Sequence, residues 1–232
     1  MKTLEFLTVV SLAAWLCAEA VAQKPPVASR TPAPPVARAG AVVPPPAVSA
    51  PAEVLAAAVA AVDKLGSDVT RGNYAVAIDR MNPLWKERMA NQTKGGMAEV
   101  LRQIEGASKR MTQEGVSIIS SVHQGAPRSF EVGADTKVEV VKGEEVEIQI
   151  FTKWLVLVPT LTKYRLLLQG EPKPVVIEKT GFQVAVSDKG KNDWTFIDGS
   201  GLTVSALRRL YLTLPLDLEL PPIQERKAAD AH

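Results

Sequence analysis

At Gly115 the hydrophobic period of the chain changes, and no other feature constrains the fold as strongly. Before it, apolar residues recur three and four positions apart. Val54, Leu55, Ala58, Val62 and Leu65 share one helical face, and Met97, Val100, Leu101, Ile104 and Met111 share another. After it the period is two, with Val116, Ile118, Ser120 and Val122 alternating against Ser117, Ile119, Ser121 and His123. Helices followed by strands is the order of an α+β domain, in which helices pack on a mostly antiparallel sheet.

Punctuation divides the helical half. Ser49 is placed to cap a first helix, with Pro51 in its first turn and Glu53 favoured by the N-terminal dipole. Gly72-Asn73 ends that helix, and a shorter one follows from Tyr74 to Met81. Asn82-Pro83 breaks the chain again, Leu84-Trp85 opens another short turn of helix, and after Gly95-Gly96 a longer helix runs to about Thr112.

In the second half, Thr136 to Val141 and Glu144 to Val158 read as a hairpin turning at Lys142-Gly143. In the longer strand Ile148, Ile150, Trp154, Val156 and Val158 face one way, and Phe151, Lys153, Leu155 and Leu157 the other. Both faces are therefore apolar toward Pro159, where the strand is expected to stop. Leu161 to Gln169, Gly181 to Ser187 and Trp194 to Asp198 are the remaining strands, the last two joined by a loop at residues 188–192. Asp198-Gly199-Ser200-Gly201 then releases the chain, and Thr203 caps a final helix to Tyr211. Beyond it Leu212, Leu214, Leu216, Leu218 and Leu220 occupy every second position. That period describes an extended arm with one leucine stripe, laid along its own domain or along a partner.

The ends of the chain have different compositions. Lys2, the apolar run Phe6 to Cys17 and the small residues Ala18 to Ala22 have the three parts of a secretory signal over residues 1–22, cleavable after Ala20 or Ala22. The apolar run is too short to span a bilayer of roughly 30 Å, and Leu16 in front of Cys17 is not the small residue a lipoprotein signal needs. Cys17 is the single cysteine, so the mature chain has neither disulfides nor thiolate ligands, which suits a bacterial envelope. Residues 23–50 are rich in Pro, Ala and Val and read as an extended spacer. One domain is expected over 51–222, with a disordered polar tail over 223–232. A net charge of +2, with Lys and Arg interleaved among Asp and Glu, offers no phosphate-binding face for nucleic acid.

Two local features carry a family resemblance. Gly72-Asn73-Tyr74-Ala75-Val76-Ala77 between two helices, and the terminal strand Asp193 to Asp198, resemble the NTF2-like (nuclear transport factor 2-like) domains over residues 52–211. The resemblance implies N-terminal helices packed on a curved antiparallel sheet enclosing a cone-shaped cavity. The C-terminal helix and the leucine arm depart from it. That family includes isomerases, dehydratases, transport adaptors and exported domains, so the fold alone carries no activity.

Linear motifs for chemistry are missing. Only His123 and His232 are present, with no metal-ligand spacing, no phosphate-binding loop and no cofactor motif. Ser200 lacks the glycines at the second positions on either side that a nucleophile elbow requires, those positions holding Asp198 and Leu202. Within a cone the candidate ligand-binding residues are Tyr74, His123, Trp154 and Tyr164, with Asp79 as a further polar group. Each also has a structural role to play as a packed aromatic, a strand histidine or a solvated helix residue. The reading that emerges is an exported, non-enzymatic binding module for a protein, peptide or small envelope ligand. A homodimer through the sheet or the leucine arm accompanies it. The alternative is a small-molecule isomerase or dehydratase with its site in the cone.

Overall fold

The computed structural model describes residues 49–141, 144–167 and 173–228. The signal, nearly all of the spacer, the Lys142-Gly143 turn, the end of the strand expected to reach Gln169 and residues 229–232 lie outside the described residues. Within them the chain is α+β, with four helices before a six-stranded sheet whose strand pairs are all antiparallel, and a fifth short helix between its last two strands.

The helical half follows its punctuation. α1 is Ala52–Thr70, α2 Ala75–Asp79, α3 Pro83–Gln92 and α4 Gly96–Gln113. Pro51 rather than Ser49 caps α1, its carbonyl accepting the N–H groups of Val54 and Leu55 at 3.0 and 3.1 Å. Ala58, Val62 and Leu65 form the buried stripe of α1, and Val100, Ile104 and Met111 that of α4. α3 is longer than its sequence promised, because Asn82 caps it and Pro83 fits its first position.

The spine of the sheet is β3 (Glu144–Leu166). On one side, β2 (Arg128–Val141) pairs with its first part, from Val141↔Glu144 to Arg128↔Leu157. β1 (Ser117–His123) pairs with its last part, from His123↔Thr160 to Ser117↔Arg165. β4 (Val175–Asp188) covers the opposite side from Lys153↔Asp188 to Leu166↔Val175. β5 (Thr195–Asp198) and β6 (Gln224–Lys227) then pair with the two ends of β4.

Pro159 does not stop β3 as expected. Its carbonyl accepts the Gln124 N–H at 2.8 Å, so its missing N–H faces the same side, in the gap between the end of β1 and the start of β2. No ladder bond is due there, and a proline costs nothing.

Strand alternation sorts the core into two faces. Trp154, Val156 and Val158 of β3, Ala185 of β4 and Phe196 of β5 join Ala58, Val62 and Leu65 of α1 in one cluster. Leu155, Leu157, Val184, Val186 and Ile197 turn the other way, into a cluster with Trp85, Met89, Val100 and Ile104 of α3 and α4. That second cluster also takes Leu207 of α5 (Val204–Leu210), followed by Tyr211, Leu214 and Leu218.

The C-terminal region corrects two expectations. The leucine arm packs on its own domain in turns, not as a strand: Leu214 and Leu218 are buried, while Leu212 and Leu216 are each 81% exposed. Pro215 and the short turns change an apparent period of two into a real period of four. The tail expected to be disordered from 223 is folded as far as Ala228, since β6 pairs with β4 from Thr180↔Gln224 to Ile177↔Lys227.

Candidate functional site

Where α1 crosses the sheet it comes closest at Gly66, whose position leaves no room for a side chain. A Cβ there would stand 2.2 Å from the Ser121 carbonyl oxygen of β1. A few residues earlier Asp63 receives the backbone N–H of His123 at 2.7 Å and meets its Nδ1 at 2.6 Å, tying α1 to the end of β1. From this contact α1 runs over β3 and β4, and α2 and the start of α3 close the side.

The enclosed space is a cavity of about 200 Å³. Leu65, Ile78, Met89, Ile104, Phe182 and Phe196 are among the side chains that make its wall mainly apolar. Its polar floor comes from cross-strand neighbours of the same face. Thr162 stands opposite Lys179, Thr160 opposite Gly181, and Gln183 opposite Asp198. Tyr164 completes the floor at the far end of β3 and is only 1% exposed.

The charged and amide groups of the floor have protein partners. Asp198 accepts the Ser200 N–H at 2.7 Å on one oxygen and Gln183 Nε2 at 3.0 Å on the other. Lys179 pairs with Glu225 of β6 at 3.3 Å. Burial and then the nearby Glu225 carboxylate, which also bonds the phenol, push the Tyr164 pKa well above its ordinary value. Tyr164 is therefore a neutral phenol at any physiological pH.

The four residues singled out from sequence do not converge. Tyr164 lines the cavity. Trp154 is buried beneath α1, away from the cavity wall, with Lys189 Nζ 4.8 Å from its ring centroid and Glu131 paired to that lysine. His123 sits half-exposed at the end of β1 against Asp63, and Tyr74 is the half-buried residue preceding α2. Asp79 is exposed. Sequence reasoning missed Asp198, Gln183 and Lys179, because only the register of β3, β4 and β5 brings them onto one face.

Ser200 also reaches the cavity, yet its neighbourhood is that of a turn. Gly201 has a φ of +73°, and Thr203 caps α5 by accepting the Ala206 N–H at 3.1 Å, as the sequence implied. Among the described residues no group of three or more His, Cys, Asp or Glu side chains is placed to hold a metal, and no helix is long and apolar enough to cross a membrane.

No family model, curated protein or solved structure matches the chain.

Proposed function

We propose that the protein is an exported, non-enzymatic binding module that takes a small, largely apolar ligand into the cavity beneath α1. The observation that carries this reading is a mainly apolar cavity of about 200 Å³ with a few fixed polar groups on its floor. Small-molecule sites are concave and mainly apolar with a few fixed polar groups. An isomerase or dehydratase needs, in addition, a second titratable group free to act with a base, and here Lys179 and Tyr164 are both held by Glu225. The helix-first order and the open antiparallel sheet support an NTF2-like relationship, and the signal-like residues 1–22 support export to a bacterial envelope.

The test is saturable binding of a small neutral aromatic, benzyl alcohol, followed by amide chemical shifts. Shifts confined to residues around Ile78, Met89 and Phe182, and abolished by Ile78→Trp, are the expected result. Shifts scattered over the surface sink the reading, as does the absence of any shift at millimolar concentration with benzyl alcohol and with its charged analogues alike. Export is checked by mass spectrometry of the envelope fraction, where the mature chain is expected to begin at Val21 or Gln23.

Exposed Leu212 and Leu216 favour a second use, contact with another copy of this chain through the arm. A sizing column at rising concentration should then show a dimer that Leu212→Ser with Leu216→Ser removes; a wild-type protein that stays monomeric ends that reading.

A further inference from the structure

The charges around the cavity do not balance, and the imbalance says what kind of ligand fits. Lys179 is matched by Glu225. Asp198, by contrast, has no Lys, Arg or His within ion-pair distance among the described residues, and only neutral donors, Ser200 N–H and Gln183 Nε2, reach it. Each of its oxygens has one such hydrogen bond, so lone pairs remain on a carboxylate that lines a mainly apolar space. A neutral apolar guest would remove water from that carboxylate and give nothing back. An anion would be repelled by it.

Four aromatic rings, of Trp85, Tyr164, Phe182 and Phe196, share the lining with Asp198. Ring faces attract cations, and an ammonium group set between a carboxylate and aromatic faces gains from both. The space itself limits the rest of the molecule: a cavity of about 150 Å³ is known to accept benzene, so this one has room for a single ring or short branched chain.

We infer that the cavity is a binding site for small organic amines, with Asp198 receiving the ammonium group and the wall of Ile78, Met89, Ile104 and the aromatic rings receiving the apolar body. This rests on the binding-module reading above and adds the ligand class. Asp198 acts as the specificity-determining residue, and Gln183 and the Ser200 N–H fix the direction of its carboxylate.

Calorimetric titration at pH 7 with three benzyl ligands that differ in their polar head tests it: benzylamine, benzyl alcohol and phenylacetate. Benzylamine is expected to bind at least tenfold more tightly than benzyl alcohol, and phenylacetate not at all, in line with one charge-assisted hydrogen bond of about 1.5–3 kcal/mol. In Asp198→Asn benzylamine and benzyl alcohol should bind alike, with benzyl alcohol unchanged from wild type as proof that the cavity still forms. The wild-type ranking stands without the variant, so a misfolded Asp198→Asn protein does not remove the test. Equal binding of benzylamine and benzyl alcohol to the wild type overturns the amine assignment and leaves the cavity as a binding site. So does a preference for the amine that survives Asp198→Asn. If none of the three binds at millimolar concentration, the cavity reading falls as well.

Discussion

Asn82 reads in the sequence as a helix breaker before a proline, and in the structure it is a buried junction of three elements. Its carbonyl Oδ1 accepts the Trp85 N–H at 3.4 Å, while Nδ2 donates to Thr195 Oγ1 and to the Tyr211 hydroxyl at 3.1 and 3.0 Å. Its own N–H donates to the Phe196 carbonyl at 2.8 Å. Asn82→Ala removes a helix cap and leaves the buried Tyr211 hydroxyl without this partner, so a loss of about 2–3 kcal/mol in urea unfolding is expected. Ser200→Ala, at the position that most resembles a nucleophile, should leave stability and ligand binding nearly unchanged in the same assays. What the sequence made legible at this scale was conformational: the Gly201 turn, the Thr203 cap, and Trp194 and Phe196 on one face with Ile197 on the other. Partnerships such as Asn82 with Tyr211, 129 positions apart, have no local signature.

The elements were legible where one face is buried and the other wet. α1 and α4 have that pattern and were placed within a residue or two, whereas β3, buried on both faces near Pro159, runs on to Leu166 beyond its expected end. β2 begins at Arg128 and β4 at Val175, both earlier than expected, because Glu131, Asp135, Glu178 and Lys179 interrupt the alternation there. Those charges are absorbed by neighbouring strands and side chains, Glu131 by Lys189 and Glu178 by Lys163 and Arg226. The arm shows the opposite failure, a perfect alternation that no strand realises. Two substitutions separate the readings. Leu214→Ala should cost about 2–5 kcal/mol, as for other buried leucines, whereas Leu212→Ala should stay within about 0.5 kcal/mol. An extended stripe would make the two equal. The close crossing of α1 on β1 yields a third expectation. Gly66→Ala gains about 1 kcal/mol of helix propensity but drives a Cβ into the Ser121 carbonyl. The only relief is to lift α1, at about 1–3 kcal/mol, so the melting temperature should fall.

At the scale of the whole molecule, β6 decides how the fold responds to alkali. It completes the β4 edge and supplies Glu225 to both Lys179 and Tyr164. Tyr164 and Tyr211 both have pKa values raised chiefly by burial; Glu225 adds to the rise at Tyr164, and the Asn82 hydrogen bond partly offsets it at Tyr211. A phenol whose folded pKa exceeds its unfolded value stabilises the fold fully below that unfolded value, near 10. The contribution then declines as pH rises toward the folded value, because only the unfolded chain ionises readily. Acid works in the reverse sense. Glu99, bonded by Arg102 and Gln103, is held down to about 2 from 4.5, and Asp68, Glu178 and Asp188 are lowered by their own Lys and Arg partners. Their contribution is present above the ordinary carboxylate range and is lost as pH falls through the depressed values. Stability should therefore be flat from about pH 5 to 9 and fall on both sides. Truncation after Pro222 isolates the alkaline limb. Without Glu225 and the β6 cover, Tyr164 loses part of both causes of its shift, and ultraviolet absorbance at 295 nm should show it ionising closer to pH 10. In the intact chain the absorbance change of Tyr164 and Tyr211 should instead coincide with unfolding followed by circular dichroism. A truncated chain whose Tyr164 still ionises only on unfolding would mean that α1 and the rest of the sheet bury the phenol without β6.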